Sequence, residues 1–455
     1  MLAAAILLFM LLLLFLGMPV GFVMGVSGVV GLYLKGGLNA LASILSNAPY
    51  RSAANFALST VPMFIFMAEI ISRANIVPEV FEAARKWLGR TPGGLAIAAV
   101  VASAGMGAMS GSSTAAAACM SSIAVPEMRR AGYGLEVAAG VVTVAGTLAI
   151  MIPPSIPLVI YGLVTETSIG KLLIAGILPG IMTALIYSIG ILLWNRLKPG
   201  IMPKGQAYSF REKMASLRPL WAFLILASVV LITLYTGIGT PTEAAAIGAF
   251  GAAAISLTTR RLDLKGLYAA ALQTAKITTM IFTIIIGAMI CGYFFTLTQA
   301  TQKAIMFISS LHIPTWFIMG LVVLLYLILG CIMDQIAILL LTLPLTFPLV
   351  TSLGYDPIWF GVIVTKLAEI GLVTPPVGMN AYVVSATIKA PLEQVFRGTG
   401  VMLMFEFVTL CLLLAFPHHR HLAALVHEVR GWELNGRMQV NVRRAGRERD
   451  FAPRG

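Results

Sequence analysis

The chain has 455 residues, of which 59% are hydrophobic and 11% charged, with a mean hydropathy of +0.93. Soluble domains are roughly 45–50% apolar and about 25% charged, so a water-soluble globule is excluded, as is a disordered chain, which needs the opposite balance. The net charge of +13 sits mostly in short loops and a basic tail, and without a basic face interleaved with aromatics it does not point to nucleic acid.

Continuous apolar runs of roughly 20 residues, about the length of a membrane helix, predict an all-α polytopic membrane protein. They also argue against an outer-membrane barrel, whose strands alternate apolar and polar residues. In chain order, the first half carries spans over 2–16, 19–34, 53–72, 136–163 and 172–195. The second half carries spans over 219–236, 241–258, 268–297, 358–388 and 397–416. The run from Met1 to Leu16 lacks a basic leader and a clear cleavage site, so it reads as a retained span rather than a signal peptide. Two further stretches, near 94–125 and 315–347, are broken by polar and small residues. Each reads as a re-entrant hairpin, a backbone tolerated only where protein or a water-filled cavity surrounds it. Residues 418–455 form a tail with eight arginines and four acids. Cys119, Cys291, Cys331 and Cys411 lie far apart with no CxxC pair, so neither a disulfide framework nor a zinc site is indicated.

The sequence repeats on itself. Slid along itself until Pro19 falls on Pro241, it also brings Pro92 onto Pro314, Pro126 onto Pro348 and Pro153-Pro154 onto Pro375-Pro376. In the same register Gly17 falls on Gly239, and Gly132-Tyr133 on Gly354-Tyr355. Self-similarity at a fixed period marks a repeated unit. The repeats are then 1–195 and 219–417, joined by a basic cytoplasmic linker over 196–218. Five spans per repeat invert the second repeat in the membrane, and inverted repeats with broken midplane helices are a secondary-transporter architecture. The basic segments 73–90, 129–130, 196–218 and 260–265 all read as cytoplasmic loops in one topology, as the positive-inside rule requires. The first hairpin then enters from the cytoplasm and the second from outside. The arginine-rich tail would lie outside, against that rule.

Two kinds of segment carry chemistry. The first hairpin holds Gly111-Ser112-Ser113-Thr114, where freed carbonyls and hydroxyls suit a hard cation such as sodium; tight helix packing through small residues is the other reading. The second hairpin places Asp334-Gln335 at the matching tip. Intramembrane acids are costly and default to function: Asp334 ligates a cation, carries a proton, or is a buried acid satisfied by neighbours. The double prolines in Met151-Ile-Pro-Pro-Ser155 and Thr374-Pro-Pro-Val-Gly378-Met-Asn380 break their helices, because proline removes an N–H donor and clashes with the preceding turn. Each break frees carbonyls, and the next half-helix offers N–H groups and a positive dipole end to a carboxylate.

The remaining polar residues read as structural. Lys366 and Glu369 are spaced i, i+3 and neutralise one another. Glu243 after Thr240-Pro241-Thr242 reads as a helix cap. His418, His419, His421 and His427 read as a solvated tail. No GxxxxGK[ST] occurs, so no ATP use is indicated, and no GxSxG elbow supports a serine hydrolase.

These residues resemble the large membrane subunit of tripartite ATP-independent periplasmic (TRAP) transporters, the DctM-like family. The resemblance runs from about Gly17 to Pro417. It rests on Gly17-Met-Pro-Val20, Gly111-Ser-Ser-Thr114, Pro126-Glu-Met, Ile152-Pro-Pro-Ser155, Ser168-Ile-Gly-Lys-Leu172, Pro241-Thr-Glu-Ala244, Asp334, Gly354-Tyr-Asp-Pro357 and Thr374-Pro-Pro-Val-Gly378. It implies an ion-transporter-superfamily-like fold of the elevator type in a bacterial or archaeal inner membrane. It implies sodium-driven import of a small organic acid, such as a C4-dicarboxylate, a 2-oxo acid or sialic acid. The implied partners are a small four-helix membrane subunit and a periplasmic substrate-binding protein. Gly111, Ser112, Ser113, Met151 and Pro153 would belong to one sodium site, and Asp334, Thr374 and Gly378 to the other. Substrate would touch Ser113, Thr114, Ser155, Thr374 and Asn380. The alternative is a stand-alone sodium/carboxylate symporter that needs no binding protein.

Overall fold

A computed structural model describes residues 2–74, 76–310 and 313–415. The tail, with its four histidines, and His312 lie outside the described residues. In chain order the helices are α1 Leu2–Phe15, α2 Val20–Ala53, α3 Thr60–Arg73, α4 Val77–Leu88, α5 Gly94–Ser110, α6 Ser113–Arg130 and α7 Leu135–Ala145. Then follow α8 Leu148–Met151, α9 Ile156–Val164, α10 Ile169–Leu197, α11 Phe210–Leu217, α12 Trp221–Thr236 and α13 Pro241–Thr258. The last are α14 Leu264–Thr298, α15 Ala300–Ser310, α16 Thr315–Gly330, α17 Gln335–Ser352, α18 Pro357–Val373, α19 Met379–Ile388 and α20 Leu392–Ala415.

Among the described residues, seven helices are long and apolar enough to cross a membrane, or eight when the pair Leu135–Met151 and Ile156–Val164, bent by 43°, counts as one span. The sequence predicted ten spans and read 315–347 as a hairpin, whereas α17, which begins in that stretch, is one of the seven. The difference lies in helices that are short, such as the 14-residue α1, or rich in Ala and Gly rather than Leu, such as α13. Helix α2 continues well past the expected end at 34, and Gly37 with φ +68 interrupts it. The basic segment 73–90, expected as a loop, contains helix α4. Its buried Val77, Val80, Phe81 and Ala84 form one apolar stripe at i, i+3, i+4 and i+7.

The linker 196–218 is folded onto that helix. Gly205 N–H donates to the Gly89 carbonyl at 2.9 Å, and Trp87 Nε1 donates to the Lys213 carbonyl at 3.2 Å. The Arg85 guanidinium lies over the Tyr208 ring at 5.7 Å. Helix α11 opens with a capping box between Ser209 and Glu212.

Helix bounds recur in the register found in the sequence. The alignment that sets Pro19 on Pro241 carries both ends of α6 onto both ends of α17, and both ends of Leu135–Met151 onto those of α18. Packing recurs as well. Helix α6 lies on α19 and α17 on α9; α7 lies on α20 and α18 on α10; α2 lies on α14 and α13 on α3. The α2–α14 contact is close because glycines face it. A Cβ on Gly28 would stand 2.8 Å from Cys291 N, and one on Gly287 would stand 2.2 Å from the Gly21 carbonyl oxygen. Apolar lipid supplies no hydrophobic drive between helices, so such close approach is how they hold together.

Candidate functional site at two hairpin tips

The first hairpin is α5 and α6. Gly111, with φ +58, ends α5 in the left-handed conformation, and Ser112 is extended and caps α6. Ser112 Oγ accepts from Ala115 N–H at 3.4 Å and lies 3.3 Å from Thr114 Oγ1. Facing this tip is the break between α8 and α9. Proline supplies no N–H at 153 or 154, so the ladder stops at Met151 and restarts at Ile156. Ser155 caps α9 by accepting from Leu158 N–H at 3.3 Å, and its hydroxyl donates to the Ile150 carbonyl. A Cβ on Gly111 would come 2.5 Å from the Pro154 carbonyl oxygen, so only glycine lets the tip meet the break. The Met151 carbonyl lies instead against α10, where a Cβ on Gly176 would come within 2.6 Å.

The second hairpin is α16 and α17. Its tip runs from Cys331 to Asp334, and Asp334 caps α17 by accepting from Ile336 N–H at 3.0 Å. The facing break runs from Thr374 to Gly378. Thr374 Oγ1 donates to the Ile370 carbonyl at 2.5 Å, and Gly378 opens α19 with φ +55. Val377 N–H donates to the Cys331 carbonyl at 3.3 Å, so tip and break touch directly. Pro375, Pro376 and Val377 are exposed, whereas Pro153, Pro154 and Ser155 are buried.

A hydrogen bond ties the first tip to the second break. Asn380 Nδ2, on α19, donates to Ser113 Oγ, on α6, at 2.6 Å, and reaches the Thr143 carbonyl at 3.5 Å. All of this is buried. Asn380 Oδ1 and Gln335 Oε1 are buried oxygens without a hydrogen-bond partner. Buried polar atoms are rarely left so, and uncharged acceptor oxygens of this kind fit a hard cation or a ligand N–H or O–H. The fold therefore brings Gly111 and Ser112 against the Pro153-Pro154 break, Ser113 against Asn380, and the Cys331–Asp334 tip against Thr374 to Gly378. It spends the Ser155 hydroxyl on capping and turns the Met151 carbonyl toward α10.

The structural readings of other residues also meet their outcome. Glu243 and Thr240 form a capping box. Lys366 Nζ is 2.8 Å from Glu369 Oε2, but a third charged residue that the sequence reading missed, Glu406 on α20, also pairs with Lys366. Nothing in i, i+3 spacing reveals a partner on another helix; an acid at position 406 inside an apolar run was the available signal. Among the described residues, no group of three His, Cys, Asp or Glu side chains is placed to hold a metal ion.

Comparison with known proteins bears on the family and the fold. Residues 7–419 match the family described as the tripartite ATP-independent periplasmic transporter, DctM component. The C4-dicarboxylate TRAP transporter large permease DctM of Pseudomonas aeruginosa is 37% identical over 370 residues, covering 81% of this chain and 86% of the relative. The sialic acid TRAP transporter large permease SiaM of Vibrio cholerae is 31% identical, covering 89% and 94%. Among solved structures, the Alcanivorax borkumensis YdaH transporter overlays with TM-score 0.61 at 14% identity, covering 91% of this chain and 98% of that one; this likeness is one of fold. With helices long enough to span a bilayer and a family match along nearly its whole length, the chain belongs to the DctM component family of TRAP transporters, a multi-pass membrane permease and not an enzyme.

Proposed function

We propose that this chain is the large permease of a sodium-driven importer for a small organic anion: a C4-dicarboxylate, a 2-oxo acid or a sugar acid such as sialic acid. The observation that carries the reading is the pairing of each hairpin tip with a Pro-Pro break. Hydroxyls and carbonyls there suit sodium, and the starts of α6, α9, α17 and α19 offer free N–H groups to a carboxylate. One sodium site uses the Gly111–Ser113 tip and the facing Pro153-Pro154 break. The other uses Asp334, Thr374 and Gly378. Ser113, Thr114, Thr374 and Asn380 face the solute, while Ser155 positions the start of α9.

The solute arrives on a periplasmic binding protein, and a small four-helix membrane subunit completes the assembly in a bacterial cytoplasmic membrane. The unit that moves holds both hairpins, α7 to α10 and α18 to α20. The fixed frame is the α2–α14 and α3–α13 layer, and α4 and α15 connect the two as the repeats pass each other. The relatives' solutes differ, so the binding protein sets most of the choice among organic acids.

Uptake into proteoliposomes holding this chain and its small subunit tests the reading. Radiolabelled organic acids are presented with and without an inward sodium gradient and the binding protein. Accumulation that needs both is the expected result. Sodium-driven accumulation without the binding protein would replace the tripartite reading with a stand-alone symporter.

A further inference from the structure

Where α18, α20 and α10 meet, the protein buries three ionisable side chains. Lys366, Glu369 and Glu406 all have no exposed surface. The Lys366 ammonium is 2.8 Å from Glu369 Oε2 and in contact with Glu406 Oε2. It lies 3.4 Å from Thr183 Oγ1 and 5.8 Å from the centre of the Tyr187 ring. Hydroxyls stand around the three ionisable groups. Tyr187 OH donates to Glu406 Oε1, and Thr147 Oγ1 lies 3.1 Å from the same oxygen with its proton on the Val144 carbonyl at 2.7 Å. The other helices packed along α18 are α8, α9, α16, α17 and α19, and none of them carries an Asp, Glu, Lys, Arg or His. Tyr161 on α9 is engaged with the Pro357 carbonyl, and Tyr326 on α16 with Thr342 and Thr346. Lys171 and Arg196 of α10, and Glu393 and Arg397 of α20, sit near the helix ends.

With all three groups ionised, the cluster would hold one positive and two negative charges in the bilayer interior. Burying an uncompensated charge costs several kcal/mol, and a group so placed neutralises instead. The two acids are not equivalent. Glu406 receives the Tyr187 hydroxyl at Oε1 and the ammonium at Oε2. Glu369 receives the ammonium at one oxygen, and its Oε1 has no hydrogen-bond partner. Two carboxyls on one ammonium share a site in which only one of them stays charged.

We propose that the protein carries one bound proton here, on Glu369, so that Lys366 and Glu406 form a neutral pair and the cluster has no net charge. This is a proton site separate from the two hairpin tips, and it does not rest on the sodium reading. An acid that keeps its proton in the fold and loses it on unfolding makes stability fall as pH rises, because the folded state binds more protons.

The test uses the purified full-length chain. Infrared spectroscopy reads protonated carboxyl groups directly, and melting temperature is followed against pH. The expected result is a protonated-carboxyl band in the unaltered chain that loses one group per chain in Glu369→Gln. The same variant should show a flatter fall of melting temperature with rising pH. An unchanged band in Glu369→Gln, or an unchanged pH slope, overturns the proposal. If Glu369→Gln does not insert, the double variant Lys366→Met, Glu406→Gln removes both charges and should keep the band. Loss of the band there, or no such band in the unaltered chain at neutral pH, overturns it equally.

Discussion

The two hairpin tips share a backbone plan and differ in chemistry and exposure. In the first, a serine hydroxyl caps the inner helix and the facing Pro153-Pro154 break is buried. In the second, an aspartate caps the inner helix and the facing Pro375-Pro376 break is exposed. Helix lengths, prolines and packing partners recur between the halves, because these decide whether each half folds. The side chains at the tips are free to diverge. The result is one enclosed tip lined by neutral oxygens and one tip with an aspartate beside an exposed break.

The largest expected effect is at the aspartate tip. Removing a group that hydrogen-bonds as a charge costs roughly 1.5–3 kcal/mol, or about 10- to 100-fold in sodium-driven uptake. Asp334→Ala should show that loss while the protein still inserts, and Ser112→Ala should lose less, about 1 kcal/mol for a helix cap. Uptake measured against sodium concentration checks both. Equal losses at the two tips would break the contrast, and unchanged sodium dependence in Asp334→Ala would remove that residue from the ion site.

Gly111 and Gly378 sharpen the comparison through the backbone. Both hold positive φ, which costs a residue with a side chain roughly 1–2 kcal/mol. At Gly111 the added methyl also meets the Pro154 carbonyl, part of the main chain, at 2.5 Å. At Gly378 it meets the Phe396 ring at 2.7 Å, and a side chain is able to rotate away. Gly111→Ala should therefore lower the melting temperature in detergent more than Gly378→Ala. The reverse order would mean that the exposed break is the more rigid one.

The bond between the first tip and the second break comes next. Asn380→Ala leaves Ser113 without its donor, at a cost of about 1–2 kcal/mol, and should raise the KM for solute more than it shifts the sodium dependence. The smallest effect lies outside both tips. The backbone N–H and hydroxyl of Ser209 hold the exposed Glu212 carboxyl below the usual carboxylate range. Its contribution is present above that range and is lost as pH falls through the lowered value. Ser209→Ala should remove a slight acid-side fall in stability and leave sodium dependence unchanged in uptake assays.

Much of this was legible in the sequence, and the physics explains which parts. Double proline cannot continue a helix, so both breaks could be placed from Pro153-Pro154 and Pro375-Pro376 alone. The tips followed from polar residues inside apolar runs. Helix α4 is masked in the sequence by its charges, although Val77, Val80, Phe81 and Ala84 repeat at helical spacing. The linker fold was missed because its ties run from backbone to backbone, as between Gly205 and Gly89, and leave no residue pattern. The meeting of Ser113 with Asn380, and of Lys366 with Glu406, is tertiary. Each partner was visible as a polar residue in an apolar segment, but the pairing needed the fold.

The central claim is that the two tips bind sodium with unequal chemistry. It is tested most directly by the melting temperature of the purified chain in sodium chloride against potassium chloride at equal ionic strength. A ligand that binds only the folded state raises that temperature. The account predicts a sodium-specific rise that is much reduced in Asp334→Ala and partly kept in Ser112→Ala. Equal rises in both salts, or a rise untouched by both variants, would contradict it.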